Sequence, residues 1–73
     1  MNLRPVGKNQ TVLQIDSDHE IFFSYQTPVA AYFQSTFYKT SEYHSRTTTK
    51  HINNYLQGRH AKMQPQSFFE NLV

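Results

Sequence analysis

The chain is 73 residues without a cysteine, and seven Lys/Arg against five Asp/Glu leave a formal charge of +2. This excludes a disulfide scaffold and a Cys-based zinc site, and leaves room for one small domain. Four Leu, three Ile, four Val and six Phe make 17 of the 73 residues, above the ~20% floor associated with disorder, so a fold is expected. A core of this size yields roughly 3–5 kcal/mol without staples, and the rings of five Tyr and six Phe must do much of the packing. The first eight residues hold no apolar signal stretch, and no run approaches the ~18 apolar residues of a membrane span. The expected location is the cytoplasm.

Residues 1–10 are polar and broken by Pro5 and Gly7, and they read as a flexible N-terminal arm. Thr11–Ile15 then alternates, with Leu13 and Ile15 on one face. Asp16-Ser17-Asp18-His19 is turn chemistry, and Glu20–Tyr25 resumes the period of two, so a β-hairpin is predicted. Pro28 ends that strand. Val29–Gln34 makes a third strand, and Phe37–Thr40 makes a short fourth. Both faces of such a sheet carry aromatics: Phe22, Tyr32 and Tyr38 stand opposite Phe23, Phe33 and Phe37. The C-terminal segment is expected to cover the second face, because large exposed apolar patches are uncommon in small soluble proteins.

From Ser45 the period changes. Ile52, Tyr55 and Leu56 fall at i, i+3, i+4, Ser45 or Thr47 can cap the start, and Gly58 suits the left-handed C-terminal position. A helix over 46–57 follows. Gln64-Pro65 resembles the start of a second, short helix carrying Phe68, Phe69 and Leu72, which frays unless it docks. The predicted fold is α+β: a three- or four-stranded antiparallel sheet, one helix packed on it, and a short C-terminal helix. The compact part spans 11–58 and the C-terminal segment 59–73. Ile52, Tyr55 and Leu56 are expected to meet Leu13, Ile15, Ile21 and Phe23, or their neighbours on the opposite sheet face.

Catalytic chemistry finds little support. His44, His51 and His60 are seven and nine apart, whereas helical ligand pairs want i, i+4. No Ser sits in a strand–turn–helix elbow, and two glycines cannot build a phosphate-cradling loop. No catalytic, metal or cofactor-binding residue is assigned, and binding is the expected role. The informative stretch is Tyr43-His44-Ser45-Arg46-Thr47-Thr48-Thr49-Lys50-His51. A helix start favours acids, yet this one holds Arg46 and Lys50 at i, i+4 and no acid. Backbone donors, hydroxyls and two cations together welcome an anion, either a phosphate or the carboxylates of an acidic protein surface. After Thr40, Arg46, Lys50, Arg59 and Lys62 stand against only Glu42 and Glu70.

Two stretches, Phe23-Ser24-Tyr25-Gln26-Thr27-Pro28-Val29-Ala30 and Ser45-Arg46-Thr47-Thr48-Thr49-Lys50-His51-Ile52-Asn53, resemble a family of short domains common among phage proteins that mostly lack an assigned role. The resemblance covers Ile21 to Leu56. The whole chain is also similar to the small RNA polymerase-binding inhibitor and antiterminator proteins of lytic phages. That resemblance implies a non-enzymatic regulator in the host bacterial cytoplasm. It would bind the N-terminal segment of the host RNA polymerase β′ subunit, weaken σ factor retention, and promote antitermination together with NusA, with no nucleic acid needed for binding. The residues with anchoring chemistry are Phe37, Tyr38, Tyr43, Arg46 and Lys50, all within fourteen positions. The alternative is a small nucleic-acid-binding protein that uses the basic helix start and the sheet aromatics.

Overall fold

A computed structural model describes residues 2–72. Its sheet begins where the sequence suggests an arm: β1 (Asn2–Gly7) folds back on β2 (Gln10–Asp16) through a tight turn at Lys8 and Asn9, with Asn9 at φ 59°. The two residues that argue against a strand sit where a strand tolerates them. β1 is an edge strand with a single ladder to satisfy, so Pro5 costs little, and Gly7 lies at a register shift.

β2 pairs antiparallel with β3 (His19–Ser24), and the predicted polar loop shrinks to a turn at Ser17-Asp18. Asp16 Oδ1 accepts from the Asp18 amide and pairs with His19 Nδ1, both at 2.8 Å, and these bonds, the His19 one foremost, lower the Asp16 pKa. β4 (Thr27–Phe33) and β5 (Thr36–Thr40) continue the meander. Their turn has Gln34 and Ser35 both at positive φ, 52° and 62°, the backbone twist that joins right-twisted strands by two residues.

After β5 the chain crosses over through α1 (Arg46–Leu56) to β6 (Ala61–Gln64), which pairs parallel with β5. The class is α+β, as the sequence predicts, but the sheet has six strands in the order β1-β2-β3-β4-β5-β6 rather than three or four. A last short helix, α2 (Gln66–Glu70), follows Pro65. Among the described residues no helix is long and apolar enough to cross a membrane.

The register explains how two helices fit on one small sheet. Across its middle, one face carries the row Arg4, Val12, Phe22, Ala30, Lys39, Met63, and the other face the row Leu3, Leu13, Ile21, Ala31, Tyr38, Lys62. On the first face α1 buries Ile52 and Leu56 against Val12, Phe22, Val29 and Ala30. Of the two sets open to the helix, the neighbours of Leu13, Ile15, Ile21 and Phe23 are therefore the ones it meets. A register shift between Phe22 and Phe23 leaves Val29 as an extra residue in β4, and Val29 and Ala30 both enter this core.

On the second face α2 packs over β4 and β5. Phe68 stacks on Phe33 and lies 5.5 Å from the Tyr38 ring, and Phe69 is fully buried. Gln66 fixes the helix start, donating from Nε2 to the Pro28 carbonyl and accepting at Oε1 from Thr40 Oγ1, both at 2.8 Å. The C-terminal segment thus covers half of the second face. The β1–β2 half stays open.

Candidate functional site

α1 opens on Arg46 followed by three threonines, a β-branched run with poor intrinsic helix preference, so its start depends on side-chain bonds. Ser45 caps it by accepting from the Thr48 amide at 3.0 Å, and Thr49 Oγ1 donates back to the Ser45 carbonyl. Thr48 Oγ1 also receives Ser45 Oγ at 3.1 Å and Ser24 Oγ at 3.2 Å, and Ser24 Oγ lies 2.8 Å from His51 Nδ1. This chain of hydroxyls and one imidazole is buried between β3 and α1. The helix ends with Gln57 in the left-handed region at φ 52°, and Gly58 follows at φ 82°.

With Thr48, His51, Ile52 and Leu56 turned inward, the outward stripe of α1 and its C-cap is Arg46, Lys50, Asn53, Asn54 and Gln57, all exposed. An open groove runs along each side of the helix. One is bordered by Arg4, Val6 and Gln10 from β1 and β2, the other by Lys39, Tyr43 and Met63, and Asn53 lines both. Below the first groove Tyr55 donates to Glu20 Oε1 at 2.8 Å, with Arg4 at 4.0 Å from Glu20 Oε2. Burial, reinforced by that bond to a carboxylate, pushes the Tyr55 phenol well above its ordinary pKa.

The five sequence-predicted residues do not form one surface. Phe37 and Tyr38 are neighbours in β5 and point to opposite faces. Phe37 is half-buried on the α1 side, 4.6 Å from the Tyr32 ring and under the Arg59 guanidinium. Tyr38 stacks on Phe33 on the α2 side. Tyr43, 73% exposed, lies in the connection from β5 to α1, and the exposed Arg46 and Lys50 follow on the first turns of α1.

Sequence reasoning missed three sets of residues. Asn53, Asn54 and Gln57 extend the Arg46–Lys50 stripe at helical spacing, a signal present in the sequence once the helix is drawn. Arg4 and Lys39 flank that helix only because both belong to the cross-sheet row beneath it, a register no local pattern reveals. The open half of the second face was hidden for the same reason. Leu3, 71% exposed, pairs with half-buried Leu13, and Pro5 and half-buried Phe23 lie beside them across Thr11. Among the described residues no three His, Asp or Glu side chains gather as metal ligands.

No curated protein and no solved structure matches the chain. A family model does match, and over nearly the whole length rather than the middle alone: with residues 1–71 covered, the chain belongs to a family of unknown function, DUF8033.

Proposed function

We propose that the protein is a non-enzymatic phage transcription regulator that binds host bacterial RNA polymerase. In this reading it takes the N-terminal segment of the β′ subunit, weakens σ factor retention and so inhibits initiation, and promotes antitermination with NusA. The observation that carries protein contact is the open half of the second face: Leu3, Pro5, Leu13 and Phe23 form an apolar strip bounded by the unpaired edge of β1. Exposed apolar surface of this kind marks protein interaction sites, and an unpaired edge can take an extended partner segment as an added strand. The polymerase identity comes from the resemblance of the chain to polymerase-binding phage proteins. Tyr43, Arg46 and Lys50 offer a single ring among polar groups, so the strip is the better source of anchoring energy.

The test is capture of bacterial RNA polymerase by the tagged chain from nuclease-treated host lysate, repeated with purified core enzyme. The wild type should retain the polymerase, and Leu3→Asp should lose it while melting at the wild-type temperature. Failure of the wild type to bind core enzyme ends the polymerase reading. Binding that survives Leu3→Asp and is lost on combining Tyr43→Ala with Arg46→Glu moves the contact to the β5–α1 corner.

A further inference from the structure

We infer that α1 is a DNA-reading helix, whose outward stripe enters the major groove of duplex DNA. The stripe is Arg46, Lys50, Asn53, Asn54 and Gln57, at successive spacings of four, three, one and three, directly opposite the buried stripe of Thr48, Ile52 and Leu56. Each outward residue carries hydrogen-bond donors suited to base edges in the major groove. Arg and Lys pair with guanine O6 and N7, and Asn and Gln pair with adenine N6 and N7. None of these side chains is engaged elsewhere: among the described residues no side-chain hydrogen bond or ion pair involves any of the five.

Charge selects the same occupant. A helix face that merely keeps a protein soluble mixes Glu with Lys and gains from acids in its first turn. α1 has no acid in its first turn or anywhere along its length. Four of the five acids lie apart from the stripe, and Glu42 borders the Lys39 groove together with Asn53. Asp16 and Asp18 sit at the β2–β3 turn, Glu70 is on α2 across the sheet, Glu20 is held by Tyr55 and Arg4, and Glu42 faces His44 at 3.5 Å.

The cations, by contrast, flank the helix. Arg4 on β1 and Lys39 on β5 occupy the same cross-sheet row, one on each side of α1. Four strand spacings of ~4.8 Å separate them by roughly 19 Å, wider than the ~12 Å major groove. With α1 in the groove, Arg4 and Lys39 therefore meet the phosphates of the two opposite rims. An acidic protein surface fits this stripe less well, because the stripe has no aromatic or aliphatic anchor of the kind that supplies protein–protein affinity. Duplex RNA is excluded by shape, since its deep, narrow major groove does not admit side chains.

The experiment is fluorescence anisotropy of a fluorescein-labelled 24-base-pair DNA duplex with the purified full chain, without polymerase, so its outcome is independent of the polymerase reading. Binding-site selection from a randomised duplex pool accompanies it. The two phosphate-facing cations, Arg4 and Lys39, give a log–log salt slope near −1.8, so affinity should fall about tenfold between 50 and 200 mM salt. Arg46→Ala with Lys50→Ala should weaken binding at least tenfold and lose the selected guanine preference. Asn53→Ala with Asn54→Ala should keep the salt slope and lose the selected sequence preference by tenfold or more. Thermal melts establish that both exposed double variants are folded. The proposal is overturned by any of three results: no duplex binding at 50 mM salt, an RNA duplex of the same length bound as well as DNA, or full affinity in the folded Arg46/Lys50 double variant. Displacement of the DNA by polyglutamate at equal charge concentration assigns the stripe to an acidic protein surface and overturns it as well.

Discussion

Ser24 Oγ and His51 Nδ1 lie 2.8 Å apart, buried between β3 and α1, and this contact joins the two sequence stretches that are most distinctive in the chain. Ser24 belongs to the first stretch, and Ser45, Thr48 and His51 belong to the second. Tyr25, at φ 59° in the turn after Ser24, places its ring 5.7 Å from the His51 ring and closes over the same spot. The pairing of the stretches thus has a physical cause: a weak helix start is capped and then tied to the sheet by one connected polar network. Ser24→Ala is nearly isosteric and opens no cavity, but it leaves buried His51 Nδ1 unpaired, so a loss of about 1–3 kcal/mol is expected by urea denaturation. Ser45→Ala removes the cap and should cost about 1 kcal/mol. Both hydroxyls meet Thr48 Oγ1, so the double variant should deviate from additivity by 0.5 kcal/mol or more. Strict additivity in that cycle would show that the network is not a unit.

Ile52 is buried where the helix meets the sheet, packed with Leu56 against Val12, Phe22, Val29 and Ala30. Ile52→Ala should cost roughly 2–5 kcal/mol, which is comparable to the whole stability of a core this small. The variant should be largely unfolded at 37 °C by circular dichroism. A wild-type melting temperature would mean that α1 does not rest on this face.

Much of this arrangement is legible in the sequence. Ser45, Gly58 and the spacing of Ile52, Tyr55 and Leu56 mark the helix to within a residue, and the alternation around Ser17-Asp18 marks the β2–β3 hairpin. The choice of sheet face was not legible, because both faces carry rings. Small side chains at adjacent positions, Ala30 toward α1 and Ala31 toward α2, let a helix approach from each side. β1 escaped notice because Pro5 and Gly7 are breakers everywhere except at an edge and a register shift. β6 escaped because its partner is parallel and is reached only through the α1 crossover. Of the candidate site, the Arg46–Lys50 start was visible, whereas Arg4 and Lys39 join it through register alone.

The bond from Tyr55 to Glu20 gives the fold a defined sensitivity to alkali. The folded state holds the phenol protonated, with a pKa raised above the ordinary value of 10.0 by burial first and by Glu20 second. Above pH 10 the unfolded chain releases this proton and the folded chain keeps it. The contribution is therefore complete below pH 10 and is lost as pH rises beyond it. Urea midpoints measured from pH 8 to 11 should fall more steeply for the wild type than for Tyr55→Phe, which has no proton to lose. At pH 7 the same variant should be weaker by about 1.5 kcal/mol, the worth of a hydrogen bond to a carboxylate. Parallel alkaline profiles for the two proteins would place the Tyr55 hydroxyl in solvent instead.

α2 spans five residues, too few to hold a helix alone in water, so its order must come from docking. Phe69 is completely buried, Phe68 lies in the ring stack of Phe33 and Tyr38, and Gln66 bridges Pro28, Thr40 and His44, the last at 2.9 Å. These contacts cover Ile21 and Ala31, which are otherwise on an open sheet face. Phe69→Ala should then destabilise the whole domain by about 3–5 kcal/mol rather than release the tail alone, lowering the melting temperature by at least ~12 °C. Gln66→Ala keeps the rings but orphans the Pro28 carbonyl, so a smaller loss of about 1–3 kcal/mol is expected. If α2 is part of one cooperative unit, far-ultraviolet circular dichroism and tyrosine fluorescence give coincident transitions in both variants. A separate early loss of helix with the sheet intact would mean that β4 and β5 sustain their second face without it.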